Sequence, residues 1–87
     1  MKIRIDKSFE KDFRKLPATV HPEIKNIISQ IRTAKNISEL TNVKKMAGFS
    51  GFYRIKYKSY RVGIYLENDT LILSRVLHRK EIYRFFP

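Results

Sequence analysis

"FYRIKYKSYRVGIY", residues 52–65, is the stretch on which the reading of the fold turns. Apolar and polar residues alternate on both sides of Lys58–Ser59, the pattern of two strands folded into an antiparallel hairpin. With the turn centred there, residue 57 faces 60, 56 faces 61, 55 faces 62 and 54 faces 63. Lys58–Ser59 lacks the Gly or Asn that a tight turn favours, but a four-residue loop with the same centre keeps the same parity. Successive side chains point to opposite sides of a strand, so Tyr53, Ile55, Tyr57, Tyr60, Val62 and Ile64 share an apolar face. The other face carries Arg54, Lys56, Lys58, Arg61, Gly63 and Tyr65. Lys56 then stands across from Arg61, and like charges so placed destabilise a sheet by a few tenths to about 1 kcal/mol. A solvated strand face that discourages edge pairing is one account of this cluster. The other is a phosphate site: cations on rigid strands, room above Gly63, and Tyr65 to stack a base.

Outward from the hairpin, "MKIRID" alternates as a strand with Met1, Ile3 and Ile5 on one side. Phe9, Phe13 and Leu16 then follow helical spacing, with Asp6 or Ser8 available as N-cap, and Pro17 ends this short helix. Val20, Ile24, Ile27, Ile28 and Ile31 form one stripe of a second helix, with Thr19 as its cap and Pro22 within the tolerated first turn. A connection follows, with a short strand expected near Lys44–Ala47. Strands are expected over 52–58, 60–66 and 70–77, the last two joined by the turn "END" at 67–69. "HRKEIYRFFP" closes the chain as a short helical or irregular tail. The fold class is α+β: two N-terminal helices on one face of a small, mainly antiparallel sheet, in the order β-α-α-β-β-β.

Eighty-seven residues make one domain, 1–87. A chain of this length buries only about 60–65% of its unfolded surface. A hydrophobic fraction of 43% is enough for a core. Nineteen Lys and Arg against eight Asp and Glu give a formal charge of +11, which predicts attraction to polyanions, nucleic acid first and an acidic protein second. Without cysteine there is no disulfide, thiolate or Cys-based metal chemistry. The N-terminus has no apolar signal core, and no stretch approaches the roughly 20 apolar residues of a membrane span. A cytosolic location follows by default, with no membrane partner.

His21 and His78 are the only histidines. They lie far apart, without HxxxH or paired-carboxylate spacing, so no metal or other cofactor is expected. His78, Arg79 and Tyr83 follow directly on the last strand, where side chains commonly enter a shared cleft. A metal-free ribonuclease must deprotonate the ribose 2′-OH, neutralise the phosphorane and protonate the departing 5′-oxygen. Arg61 and Arg79 suit the phosphate, because guanidinium matches two of its oxygens. Lys56, crowded by Arg54 and Arg61, is a conceivable base through a lowered pKa. Tyr83 or His78 would stack on a base or give a proton, although Tyr83 serves equally well as a packing residue. Arg54, Lys58, Tyr65, Lys44, Lys45, Lys80 and Arg84 make up the surrounding RNA-binding surface.

"YRIKYKSYRVGIYLENDTLILSRVLHRKEIYR" resembles the C-terminal half of RelE/ParE superfamily toxins of type II toxin–antitoxin systems, and the order of elements agrees over essentially the whole chain. In RelE-type nucleases the hairpin carries a basic residue, an apolar residue and a lysine, then the arginine of a Tyr-Arg pair on the next strand. These map onto Arg54, Lys56 and Arg61, and the family's tail arginine and tyrosine onto Arg79 and Tyr83. The first position is Arg54 where the better-known pattern has lysine, and the shorter tail contains His78. The resemblance implies a ribosome-dependent cleavage of mRNA in the A site that inhibits translation. It also implies a cognate antitoxin, acidic in its toxin-binding part. ParE-type members instead poison DNA gyrase without cutting RNA, and a plain RNA-binding module is a third reading.

Overall fold

The computed structural model describes all residues, Met1–Pro87. Strand β1 (Lys2–Ile5) leads into helix α1 (Lys7–Lys15), and a 3-10 turn (Ala18–Val20) runs straight into α2 (His21–Thr33). After a second 3-10 turn (Ile37–Glu39) come β2 (Val43–Lys45), β3 (Phe52–Tyr57), β4 (Tyr60–Glu67) and β5 (Thr70–His78), then the one-turn helix α3 (Ile82–Phe85). The five strands form one sheet in the order β1-β5-β4-β3-β2. Only β1 and β5 pair in parallel; the other neighbours are antiparallel.

The hairpin has the register that its alternation predicts. Tyr57 pairs with Tyr60, Lys56 with Arg61, Ile55 with Val62 and Arg54 with Gly63. Lys58 takes the left-handed conformation, φ +50°, that a two-residue hairpin turn requires and few side chains adopt. At the next turn Glu67 pairs with Thr70, and Asn68 has φ +55°, a conformation asparagine tolerates. Burial drives the rest: Ile55, Val62, Ile64, Leu71, Leu73 and Val76 meet Phe9, Ile24 and Ile31 in the main core. The expected stripe of α2 is the buried one, with Ile24 and Ile31 innermost and Val20, Ile27 and Ile28 at its margin.

Neither expected cap is used. Asp6 does stand at the N-cap of α1, but its side chain caps nothing and instead meets Arg4 at 3.5 Å. Thr19 lies within the 3-10 turn, and α2 continues from Val20 without a side-chain cap.

Two features prepare the functional face. β1 accompanies β5 only as far as Leu73, and beyond it α1 takes over the open edge. Ser8 Oγ donates to the Ser74 carbonyl at 2.6 Å, and Asp12 Oδ2 accepts from the Val76 amide at 3.1 Å. A bulge then sits where Gly63 pairs with Arg75 but Ile64 with Leu73, leaving Ser74 as the extra residue. One inserted residue reverses the facing of everything after it.

The sheet face away from α1 and α2 is not bare. The tail folds back across it, and Ile82 and Phe86 form a second small core with Met46, flanked by Phe52 and Leu77. Gly63 is the notch that receives it: a Cβ there would lie 2.7 Å from the Phe86 ring. The expectation that Gly63 opens room for a phosphate is therefore corrected. Phe86 fills that room, because the tail buries its aromatic ring there.

Candidate nucleic-acid interface

On the tail-bearing face the strand pairings stack cations in adjacent rows. Lys44 pairs with Arg54, and two residues along β3 Lys56 pairs with Arg61. Each row is a like-charge cross-strand pair with an unfavourable contribution. The protein's three ion pairs are Arg4–Asp6, Arg14–Glu10 and Arg75–Asp12, so none of these four cations is neutralised by a carboxylate.

Arg61 is held hardest. Only 8% exposed, it donates through Nη1 to the carbonyls of Lys58 and Tyr60 at 2.8 and 2.9 Å. Those two contacts anchor the guanidinium against the hairpin turn. Neutral acceptors satisfy its donors without cancelling its charge, so an arriving anion meets a full positive charge in a partly desolvated place. Lys56, one strand over, is exposed and makes no ion pair.

The tail adds the remaining members. Arg54 lies beneath Tyr83, with its guanidinium carbon 5.7 Å from the ring centroid, and Tyr83 is 59% exposed. Such a contact tethers the ring while leaving most of its surface open. The Arg79 amide donates to the Ser59 carbonyl at 2.7 Å, which brings this exposed residue beside the hairpin tip. Lys44, Arg54, Lys56 and Arg61 thus share one sheet face, Tyr83 touches it through Arg54, and the Arg79 backbone is fixed at the hairpin tip.

Several other expected members point elsewhere or are packed. His78 pairs with Tyr60 and packs edge-on against its ring at 5.8 Å, on the helix-bearing side of the sheet. The bulge is the reason. Without the extra Ser74, counting back from the turn would put His78 on the tail-bearing face. Its proposed acid duty is withdrawn. Lys45 pairs with Tyr53 and also faces the helix side. Lys58 leans toward the Tyr57 ring, Nζ 5.6 Å from its centroid. Tyr65 is on the expected face, but its ring packs on Phe52 at 4.5 Å and against Gly51, so it is a packing residue rather than an open platform. Lys80 is exposed in the turn after β5. Arg84 lies against the Phe85 ring at 5.7 Å, on the outer side of α3. No three His, Cys, Asp or Glu side chains gather as a metal site.

Sequence reading missed one interaction, the pair of Asp12 and Arg75. Arg75 Nε and Nη2 donate to the two Asp12 oxygens at 2.7 and 3.0 Å, and the guanidinium also covers the Phe85 ring at 5.3 Å. The hydrogen bond to Asp12 raises the Arg75 pKa above its ordinary value; burial opposes this, and the charges of Asp12 and Glu81 assist it. The signals were present in the sequence. Asp12 falls on the apolar side of α1 between Phe9 and Phe13, and Arg75 interrupts the apolar run "LILSRVL".

Comparison with known proteins gives the family and the fold. The family described as "ParE toxin of type II toxin-antitoxin system, parDE" matches residues 3–83. The chain belongs to the RelE/ParE superfamily of type II toxins. Toxin RelE3 of Methanocaldococcus jannaschii is 40% identical over 88 residues, covering all of both chains. Putative toxin RelE1 of the same organism is 28% identical, covering 91% of this toxin and 89% of that one. A chain of the RelB–RelE antitoxin–toxin complex from Methanococcus jannaschii superposes with a TM-score of 0.82 at 37% identity, covering 95% of this toxin and 98% of that chain. The intact E. coli RelBE complex contains a chain of the same fold, with a TM-score of 0.68 at 24% identity over 86% of this toxin and 92% of that chain. The α+β architecture is that of RelE toxins. No helix of the toxin is long and apolar enough to cross a membrane.

Proposed function

We propose that this toxin is a metal-independent endoribonuclease that cuts mRNA in the ribosomal A site and thereby stops translation. One observation carries the reading: Arg54, Lys56 and Arg61 share a sheet face without carboxylate partners, and Tyr83 of the tail lies over Arg54. Cleavage begins when the ribose 2′-OH attacks the adjacent phosphorus. The P–O5′ bond breaks, leaving a 2′,3′-cyclic phosphate or its 3′-phosphate product and a free 5′-OH. Arg61, already fixed through Nη1, has its remaining N–H groups for the phosphorane, and Arg79 clamps from the hairpin tip. Lys56 takes the 2′ proton or stabilises the developing charge. Tyr83 stacks on a base or donates to the leaving oxygen.

The partner in this reading is a cognate antitoxin, acidic where it meets the basic face. Support comes from relatives crystallised as RelB–RelE complexes. The gyrase reading draws on the name ParE in the family description alone. Programmed ribosomes incubated with the toxin separate the two. A-site cuts that vanish in Lys56→Ala and Arg61→Ala are the expected result. Intact message together with stalled supercoiling would instead make this a gyrase inhibitor.

A further inference from the structure

Three large apolar side chains are exposed, Phe49, Tyr83 and Phe85, and all three lie on the tail-bearing side. Tyr83 is tethered by Arg54, and Phe85 is covered by Arg75 and Arg84. Phe49 has neither treatment. It is 51% exposed and touches the aromatic layer only edge-on, 6.3 Å from Phe52 at 78°. The loop around it is tightly made. The Phe49 amide donates to the Met46 carbonyl and the Phe52 amide to the Phe49 carbonyl, both at 3.3 Å. Gly48 and Gly51 supply positive φ of +80° and +83°. Two consecutive turns thus hold one aromatic ring out in solvent, although the core does not need it.

Its surroundings select the ligand. From Val43 to Gly51 the chain holds Lys44 and Lys45 and no acid. Phe52, against which the ring rests, is two residues along β3 from Arg54, and Arg54 pairs with Lys44. An open aromatic face next to unpaired cations on rigid strands is how proteins grip single-stranded nucleic acid, base on ring and phosphate on cation. We infer that Phe49 and Lys44 form a second nucleotide subsite, in which Phe49 stacks a base flanking the one at Arg54, Lys56 and Arg61. This rests on the ribonuclease reading for its substrate class, single-stranded RNA. It adds a contact that sets grip and sequence context rather than the chemical step.

The protein contains no tryptophan, so Phe49→Trp places the chain's single tryptophan in the subsite, where it can be excited apart from the tyrosines. Titration with a 2′-O-methyl RNA hexamer, which lacks the attacking hydroxyl and is not cut, should quench it saturably. Phe49→Ala should weaken hexamer binding by about fivefold to a hundredfold, with the toxin still folded and its thermal midpoint lowered by only about 4–8 °C, because half of the side chain is in solvent. Phe49→Tyr should restore binding. Quenching by the antitoxin but not by RNA would overturn the subsite and make Phe49 a protein anchor; so would RNA binding indifferent to Phe49→Ala. The ribonuclease reading fails separately: the parent toxin would then leave the message on programmed ribosomes intact, whatever the Trp reports.

Discussion

Adding a single methyl group at Gly63 tests whether the tail is seated as the geometry requires. In Gly63→Ala the new Cβ would lie 2.7 Å from Phe86 Cγ and Cδ2 and 2.9 Å from Cδ1. Carbon atoms settle at about 3.5–4.0 Å, so the ring must rise off the sheet. It has little room to slide, being 3% exposed with Phe52 at 5.5 Å. Overpacking of this kind destabilises by about 1–3 kcal/mol. The ceiling is the burial of the Ile82 and Phe86 side chains, about 1.5–3 kcal/mol each, because the tail can detach rather than accept further strain. Detachment is local, and α3 carries its own reporters: Arg84 N–H bonds to the Glu81 carbonyl at 3.0 Å and Phe86 N–H to that of Ile82 at 2.8 Å. Hydrogen exchange at these two amides should speed by about 5- to 150-fold, while the amides of Val62 and Ile64 in the main core keep their protection. Cleavage should fall in parallel, since Tyr83 leaves Arg54 with the tail. In a Phe86→Ala background the clash is gone, so Gly63→Ala should change stability by no more than about 0.5 kcal/mol. Exchange at residues 84 and 86 within about twofold of the parent in Gly63→Ala alone would refute the packing argument.

His78→Gln should leave the pH–rate profile of cleavage unmoved, because the imidazole sits on the far side of the sheet; a displaced acidic or basic limb would return it to the site. Asp12→Asn keeps the shape of the α1–β5 contact but leaves Arg75 without its carboxylate. With the Arg75 side chain 26% exposed, water makes good part of the loss, so a drop of about 1–3 kcal/mol is expected from urea unfolding. An unchanged midpoint would mean that the pair holds nothing together. If Arg54, Lys56, Arg61 and Arg79 each neutralise one phosphate, log affinity for single-stranded RNA against log salt should fall with a slope of about −3. A slope near zero would remove the phosphate grip.

The hairpin was legible in the sequence because strand alternation has period 2 and the turn pins the count. Pairing Lys56 with Arg61 needed no coordinates, nor did assigning Tyr53, Ile55, Val62 and Ile64 to the helix side. The stripe of α2 was equally open to reading, since a 3.6-residue repeat of Ile leaves one buried face. Two tertiary events decided the rest. Ser74 adds one residue to β5, and that bulge sent His78 to the helix side and Leu77 to the tail side. A sequence does not announce a bulge, because its parity depends on which partner strand absorbs the extra residue. The tail's direction was the second event. The nine residues after His78 can fold back over either face of a sheet; they cover this one because Gly63 leaves a ring-sized notch that Phe86 fills. Local periodicity thus determined which side chains share a strand face, and only long-range packing determined which of the two faces the chain's end would join.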